Sequence, residues 1–222
     1  MSLPLLAYLA AGAIALPVIV GSFTFSRLER SVKPLLLLFG IHALLTVLQF
    51  TLAFQGVNNR WTSHVYYIIE VVLLLRIYSL WTPSIRARTI FLGMTILYGA
   101  FWIASKFLFE QFSGPALYTP TVSRVMLLGS TLYILMVIAI TNERPLYFEP
   151  RFWFSAGFLV ILAGSLMFYG FRTLFLDFSI EAMKTLWSIH WTITVFSNVL
   201  HVIGFLCTLR LPNTGGQLEL AQ

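Results

Sequence analysis

Seven windows of about 20 apolar residues, the length that crosses roughly 30 Å of hydrocarbon, recur along this chain and leave room for little else. They run approximately from Pro4 to Phe25, Pro34 to Phe54, Thr62 to Leu80, Thr89 to Phe109, Val122 to Ile140, Phe152 to Phe171 and Met183 to Leu209. Charge, proline or polar residues bound each one, as in Arg27-Leu28-Glu29-Arg30, Gly56-Val57-Asn58-Asn59-Arg60, Ser113-Gly114-Pro115 and Asn142-Glu143-Arg144-Pro145. In lipid every backbone polar group must be satisfied within the span, so windows of this length are helices. The expected fold is an all-α membrane protein, one transmembrane domain of seven helices over residues 1–211. A disordered tail, 212–222, is expected where hydrophobicity fades through Pro212 and Thr214-Gly215-Gly216.

Hydrophobic residues make up 59% of the chain and charged residues 10%, against about 25% charged in a soluble domain. With the apolar windows spread along almost the whole chain, no stretch reaches the roughly 50 residues of a separate soluble domain. The lipid bilayer is therefore the first expected partner. The net charge of +6 comes from basic residues scattered between the windows, where topology places them, and nucleic acid is not an expected partner. Cys207 is the only cysteine, so neither an internal disulfide nor a thiolate metal cluster forms within one chain. Met1-Ser2-Leu3-Pro4 lacks the basic opening of a secretory signal, and the first window reads as a retained helix.

Orientation follows from Lys and Arg on the two sides of the membrane. One side holds Arg27, Arg30, Lys33, Arg76, Arg86, Arg88, Arg144, Arg151 and Arg210, the other Arg60, Lys106, Arg124, Arg172 and Lys184. The richer side is expected in the cytoplasm, which puts the N-terminus outside and the C-terminus inside.

The last window carries a polar stripe: His190, Thr194, Ser197 and His201, with Lys184 and Trp187 earlier on the same face. Steps of four, seven and eleven residues keep side chains on one face of an α-helix, with about 16 Å between the two histidines. Such groups cost free energy in hydrocarbon, so the stripe is expected against protein or a watery cavity. Glu70 lies about 13 Å into the third helix and needs a proton, a hydrogen bond or a partner. Tyr66 and Tyr67, one turn earlier, are candidate donors. Glu70, Tyr66, Tyr67, His190, Thr194, Ser197 and His201 form the expected ligand or proton path. Lys106, Arg124, Arg172 and Lys184, with Trp102, Tyr118, Trp187 and Trp191 close in sequence, suggest a basic, aromatic vestibule on the outer side. An interfacial belt of the same residues is the competing reading.

His42 and His201 lie at similar depths and, beside Glu70, could share a metal ion if their helices pack together. Metal-dependent seven-helix hydrolases of the progestin-receptor-like and alkaline ceramidase group carry closely spaced histidines on the last helix. His190 and His201 are eleven residues apart, so that resemblance fails at its most specific motif. A retinal protein needs a lysine in the middle of the seventh helix, and Lys184 sits near its start. No cofactor is expected and no catalytic constellation stands out. Gly157 and Gly164, one heptad apart beside Ala156 and Ala163, suggest close helix packing. A faint echo links Ser26-Arg27-Leu28-Glu29-Arg30 with Thr141-Asn142-Glu143-Arg144, each ahead of an apolar helix, as if two three-helix units were joined by the fourth helix.

His64-Val65-Tyr66-Tyr67-Ile68-Ile69-Glu70, with the apolar run on to Tyr78 and Trp81, resembles a pattern in small seven-helix bacterial inner-membrane proteins of no assigned activity. It covers about 20 residues and implies a bacterial cytoplasmic membrane rather than a chemistry. The expected function is a receptor-like sensor or regulatory subunit that binds a small or amphiphilic ligand in an outward-facing polar cavity. It would pass its signal to a cytoplasmic or membrane partner through the basic loops. The alternatives are a solute or proton-coupled transporter and a metal-dependent intramembrane lipid hydrolase.

Overall fold

The computed structural model describes residues 5–142, 145–174 and 180–209, with backbone alone for 171–174 and 180. The expected tail and the Arg172 side chain lie outside the described residues. Among the described residues are seven helices, each long and apolar enough to cross a membrane: α1 (Leu5–Thr24), α2 (Lys33–Phe54), α3 (Arg60–Trp81), α4 (Ile85–Leu108), α5 (Tyr118–Thr141), α6 (Pro150–Leu174) and α7 (Ile180–Thr208). Several begin up to a turn before their apolar windows. Ser84 caps α4 by accepting a hydrogen bond from the Ala87 N–H at 3.3 Å, α5 takes Pro120 into its first turn, and α6 starts on Pro150. Helix starts favour polar residues and proline, so hydropathy passes over them.

Helix neighbours run α1–α2, α2–α3, α3–α5, α5–α6, α6–α7 and α7–α1. This order closes a ring of six helices. α4 lies outside it, against α3 and α5, for a reason written in its sequence. Its buried residues Ala87, Phe91, Tyr98 and Ser105 form a single stripe at steps of four and seven. Ile90, Leu92, Ile96, Leu97, Ile103 and Phe107 are each more than half exposed, a face that suits lipid and not a core.

The two ends of the ring differ. At the end holding the starts of α2 and α6 and the finishes of α1, α3, α5 and α7, the interior is filled with apolar side chains. Leu35, Leu38, Phe39, Leu74, Leu75, Ile77, Tyr78, Ile134, Phe154, Phe158 and Phe205 pack there as one core. Phe39 stacks on Phe158 at 5.9 Å and Phe205 meets Phe154 edge-on at 4.8 Å. The Tyr78 hydroxyl, 2.6 Å from Thr131 Oγ1, joins α3 to α5. α1 closes the ring with small buried residues, Ala7, Ala10, Ala13, Pro17 and Gly21, which let the backbones approach. A Cβ on Gly21 would sit 2.8 Å from Leu36 and 2.9 Å from Phe205. At the rim of this packed end Arg151 pairs with Glu29 at 3.3 Å and Glu149 at 3.2 Å. Glu29 is 48% exposed, so Arg151→Ala is expected to change thermal stability by less than about 1 kcal/mol.

Candidate functional site

The opposite half of the ring is hollow. A cavity of about 310 Å³ is lined by residues of α1, α2, α3, α5, α6 and α7 and by none of α4. Phe39, Phe158 and Leu38, part of the packed core, also line it. The whole α7 stripe, His190, Thr194, Ser197 and His201, lies on its wall together with Asn198 and Trp187. Some of these polar groups are satisfied locally. Thr194 donates to the His190 carbonyl at 2.9 Å, Asn198 donates to the Thr194 carbonyl at 2.8 Å, and Ser197 crosses to α6 to donate to the Gly157 carbonyl at 3.1 Å.

Glu70 finds two partners. Tyr66, one turn back on α3, donates to Oε1 at 3.1 Å, and Arg124 of α5 donates through Nη1 to Oε2. Both charged side chains are about 95% buried, at 6% and 5% exposure. The Arg124 guanidinium also lies 5.2 Å from the centre of the Tyr67 ring, and the Tyr67 hydroxyl hydrogen-bonds to that of Tyr169 on α6. A ladder of tyrosines thus carries the ion pair from α3 across to α6. Arg124 therefore stands in the cavity wall and not in an outer vestibule. The first turn of α5, from Tyr118 through Pro120, sets the arginine about 9 Å inside the helix, deep enough to reach Glu70.

The histidines are held by aromatic rings. His42 stacks on Tyr66 at 4.6 Å, His201 lies between Phe39 at 4.7 Å and Phe158 at 4.6 Å, and His190 tilts against Phe168 at 4.9 Å. Arg124 Nε, His190 Nδ1 and both ring nitrogens of His201 are buried without an aligned hydrogen bond. The Phe154 carbonyl approaches the His201 ring without that alignment. Among the described residues no group of three or more His, Cys, Asp or Glu could hold a metal ion. Gly157 explains how His201 fits: a Cβ there would lie 2.4 Å from His201 Nε2. Gly157→Ala is expected to cost about 1–3 kcal/mol in thermal unfolding by pushing α6 and α7 apart at the cavity wall.

A second polar cluster accounts for Lys106. Its Nζ donates to His64 Nδ1 at 2.7 Å and to Glu110 Oε2 at 3.0 Å, with Trp102 and Phe112 rings 5.4 and 5.6 Å away. An ammonium only donates, so His64 Nδ1 accepts and Nε2 carries the proton given to the Gly114 carbonyl at 3.2 Å. Glu110 in turn caps α5, accepting from the N–H groups of Leu117, Tyr118 and Thr119 and from Thr119 Oγ1 at 2.6 Å. Burial raises the Glu110 carboxyl, but the bonds from Thr119, Leu117 and Lys106 together hold it below the usual carboxylate range. Lys106 thus joins α3, α4 and the α4–α5 loop, and it does not line a vestibule with Arg124. Lys184 is exposed near the start of α7. A smaller hollow of about 180 Å³, with Arg60, Pro115 and Ala116 on its wall, shares Ser63, Tyr67, Tyr169, Trp187 and His190 with the main cavity. It forms a second chamber beside the main cavity at this end.

Sequence reasoning passed over Tyr169, Ser165 and Asn198, all on the cavity wall. Asn198 follows Thr194 by four residues, and Ser165 and Tyr169 follow Ile161 by four and eight, so helical spacing alone marks them. Compared with known proteins, the chain matches no family model, no curated protein and no solved structure.

Proposed function

We propose that this integral membrane protein is a receptor-like binding protein, a sensor or regulatory subunit, which takes a small or amphiphilic ligand into the cavity between its six ring helices. The observation that carries this reading is the asymmetry of the ring: a polar cavity in one half and a packed apolar core in the other. A transporter must offer its site to both sides in turn, and here the core would have to come apart for that. In a sensor the same core couples the site to the far end. Phe39, Phe158 and His201 touch one another where cavity and core meet, so a ligand that shifts them biases the packing beneath. With the hollow end outside, by the distribution of Lys and Arg, the signal would emerge in a bacterial cytoplasm. The loops around Arg27 to Lys33 and Arg86 to Arg88 would carry it to a partner.

One observation favours transport as a second reading. The ring order sets α1–α3 and α5–α7 side by side as two triads with α4 outside, the arrangement the sequence echo suggests. Purified protein in liposomes under a pH gradient separates the two readings. No proton or solute flux from well-folded protein is expected; flux that Glu70→Gln abolishes would make the protein a transporter.

A further inference from the structure

Resting on the ligand-cavity reading, we propose that the ligand is a small organic carboxylate, whose anionic group binds Arg124 beside the Glu70 carboxylate. Glu70 is then a tethered occupant of an anion site. Each Glu70 oxygen already accepts a bond, from Tyr66 and from Arg124. The unmet groups are on the other side: Arg124 Nε is a buried donor with no acceptor, and a guanidinium that spends Nη1 on one oxygen leaves the rest of its fork for a second carboxylate. The aromatic wall, with Tyr66, Tyr67, Tyr169 and Trp191, suits a flat apolar body. The volume of about 310 Å³ sits at the small end of ligand sites. Arg60 in the second chamber and exposed Lys184 make the approach attractive to anions.

Charge balance adds a consequence. Two carboxylates beside one arginine leave an uncompensated negative charge in a buried cavity, so binding takes up one proton. The titratable groups that line the cavity with Glu70 are Arg124 on α5, Tyr66 and Tyr67 on α3, Tyr169 on α6, His42 on α2, and His190 and His201 on α7, and Tyr78 and Tyr98 face Glu70 from behind it. Affinity therefore rises as pH falls, by up to about tenfold per unit.

The test is calorimetric titration of the full chain in lipid nanodiscs with benzoate, benzamide and benzylamine, between pH 6 and 8. Benzoate is expected to bind at least roughly tenfold tighter than benzamide, the ratio one charge-assisted hydrogen bond supports, with proton uptake. Glu70→Gln is expected to tighten benzoate by a similar factor and to abolish the pH dependence. The double variant Glu70→Gln, Arg124→Gln, which leaves no buried charge unpaired, is expected to lose the preference for benzoate over benzamide. Benzamide or benzylamine binding as well as benzoate would overturn the carboxylate assignment while leaving the ligand cavity standing. No binding of any of the three would remove both.

Discussion

Arg124→Gln is expected to lower the unfolding free energy by about 3–5 kcal/mol, read as a fall in the thermal unfolding midpoint in detergent. The cost comes less from the lost attraction than from what remains, a Glu70 carboxylate 5% exposed with only the Tyr66 hydroxyl to serve it. Taking a charge out of water is costly, and an unpaired one inside a membrane ring is the worst case. Adding Glu70→Gln to Arg124→Gln is therefore expected to restore most of the loss, since two neutral amides can bond to each other. The four proteins form a thermodynamic cycle, and a coupling above about 1 kcal/mol is the expected reading. Additive losses would mean that the two side chains do not share a pair.

Glu110→Ala should cost a comparable amount, again about 3–5 kcal/mol. It strands Lys106, whose side chain is 5% exposed, and it uncaps α5, whose first N–H groups have no other side-chain acceptor at the Leu117 cap. This contribution depends on pH. The Glu110 carboxyl is held below its ordinary value of 4.5 in the folded protein, so the unfolded chain binds the proton first. The stabilisation is complete above that value and is lost as pH falls from it through the lower folded value. The stability difference between the parent protein and Glu110→Ala should therefore be constant from pH 8 to 6 and shrink below about 4.5. A difference that stayed constant down to pH 3 would contradict the carboxylate tripod.

Parts of this arrangement can be read without coordinates, for physical reasons. The spans are legible because lipid demands a long apolar window for each helix. The cavity face of α7 is legible because His190, Thr194, Ser197 and His201 repeat with the helix. That Glu70 needs a partner follows from its depth alone. Which partner it has does not, because Arg124 lies 54 residues away and no local spacing encodes that pairing. Pro120 compounds the difficulty: proline reads as a boundary, yet it is welcome in a first turn, and that one turn moves Arg124 from the rim to the interior. Lys106 and Glu110 stand at a helical i,i+4 spacing, but nothing local says that their pair is buried beneath Phe112 and against His64. The place of α4 outside the ring is foreshadowed by the narrow stripe of Ala87, Phe91, Tyr98 and Ser105.

The hollow half of the ring is best probed by thiol labelling in intact cells with a small membrane-impermeant methanethiosulfonate. Cys207, the sole native cysteine, is replaced by alanine, and single cysteines are introduced as Thr194→Cys on the cavity wall and Phe196→Cys on a 54% exposed face that turns away from it. Labelling of Thr194→Cys, slowed by a bound carboxylate, with Phe196→Cys silent in lipid, is the result expected of an outward-opening aqueous cavity. Labelling of Thr194→Cys only after the cells are permeabilised, or no labelling at all, would contradict it.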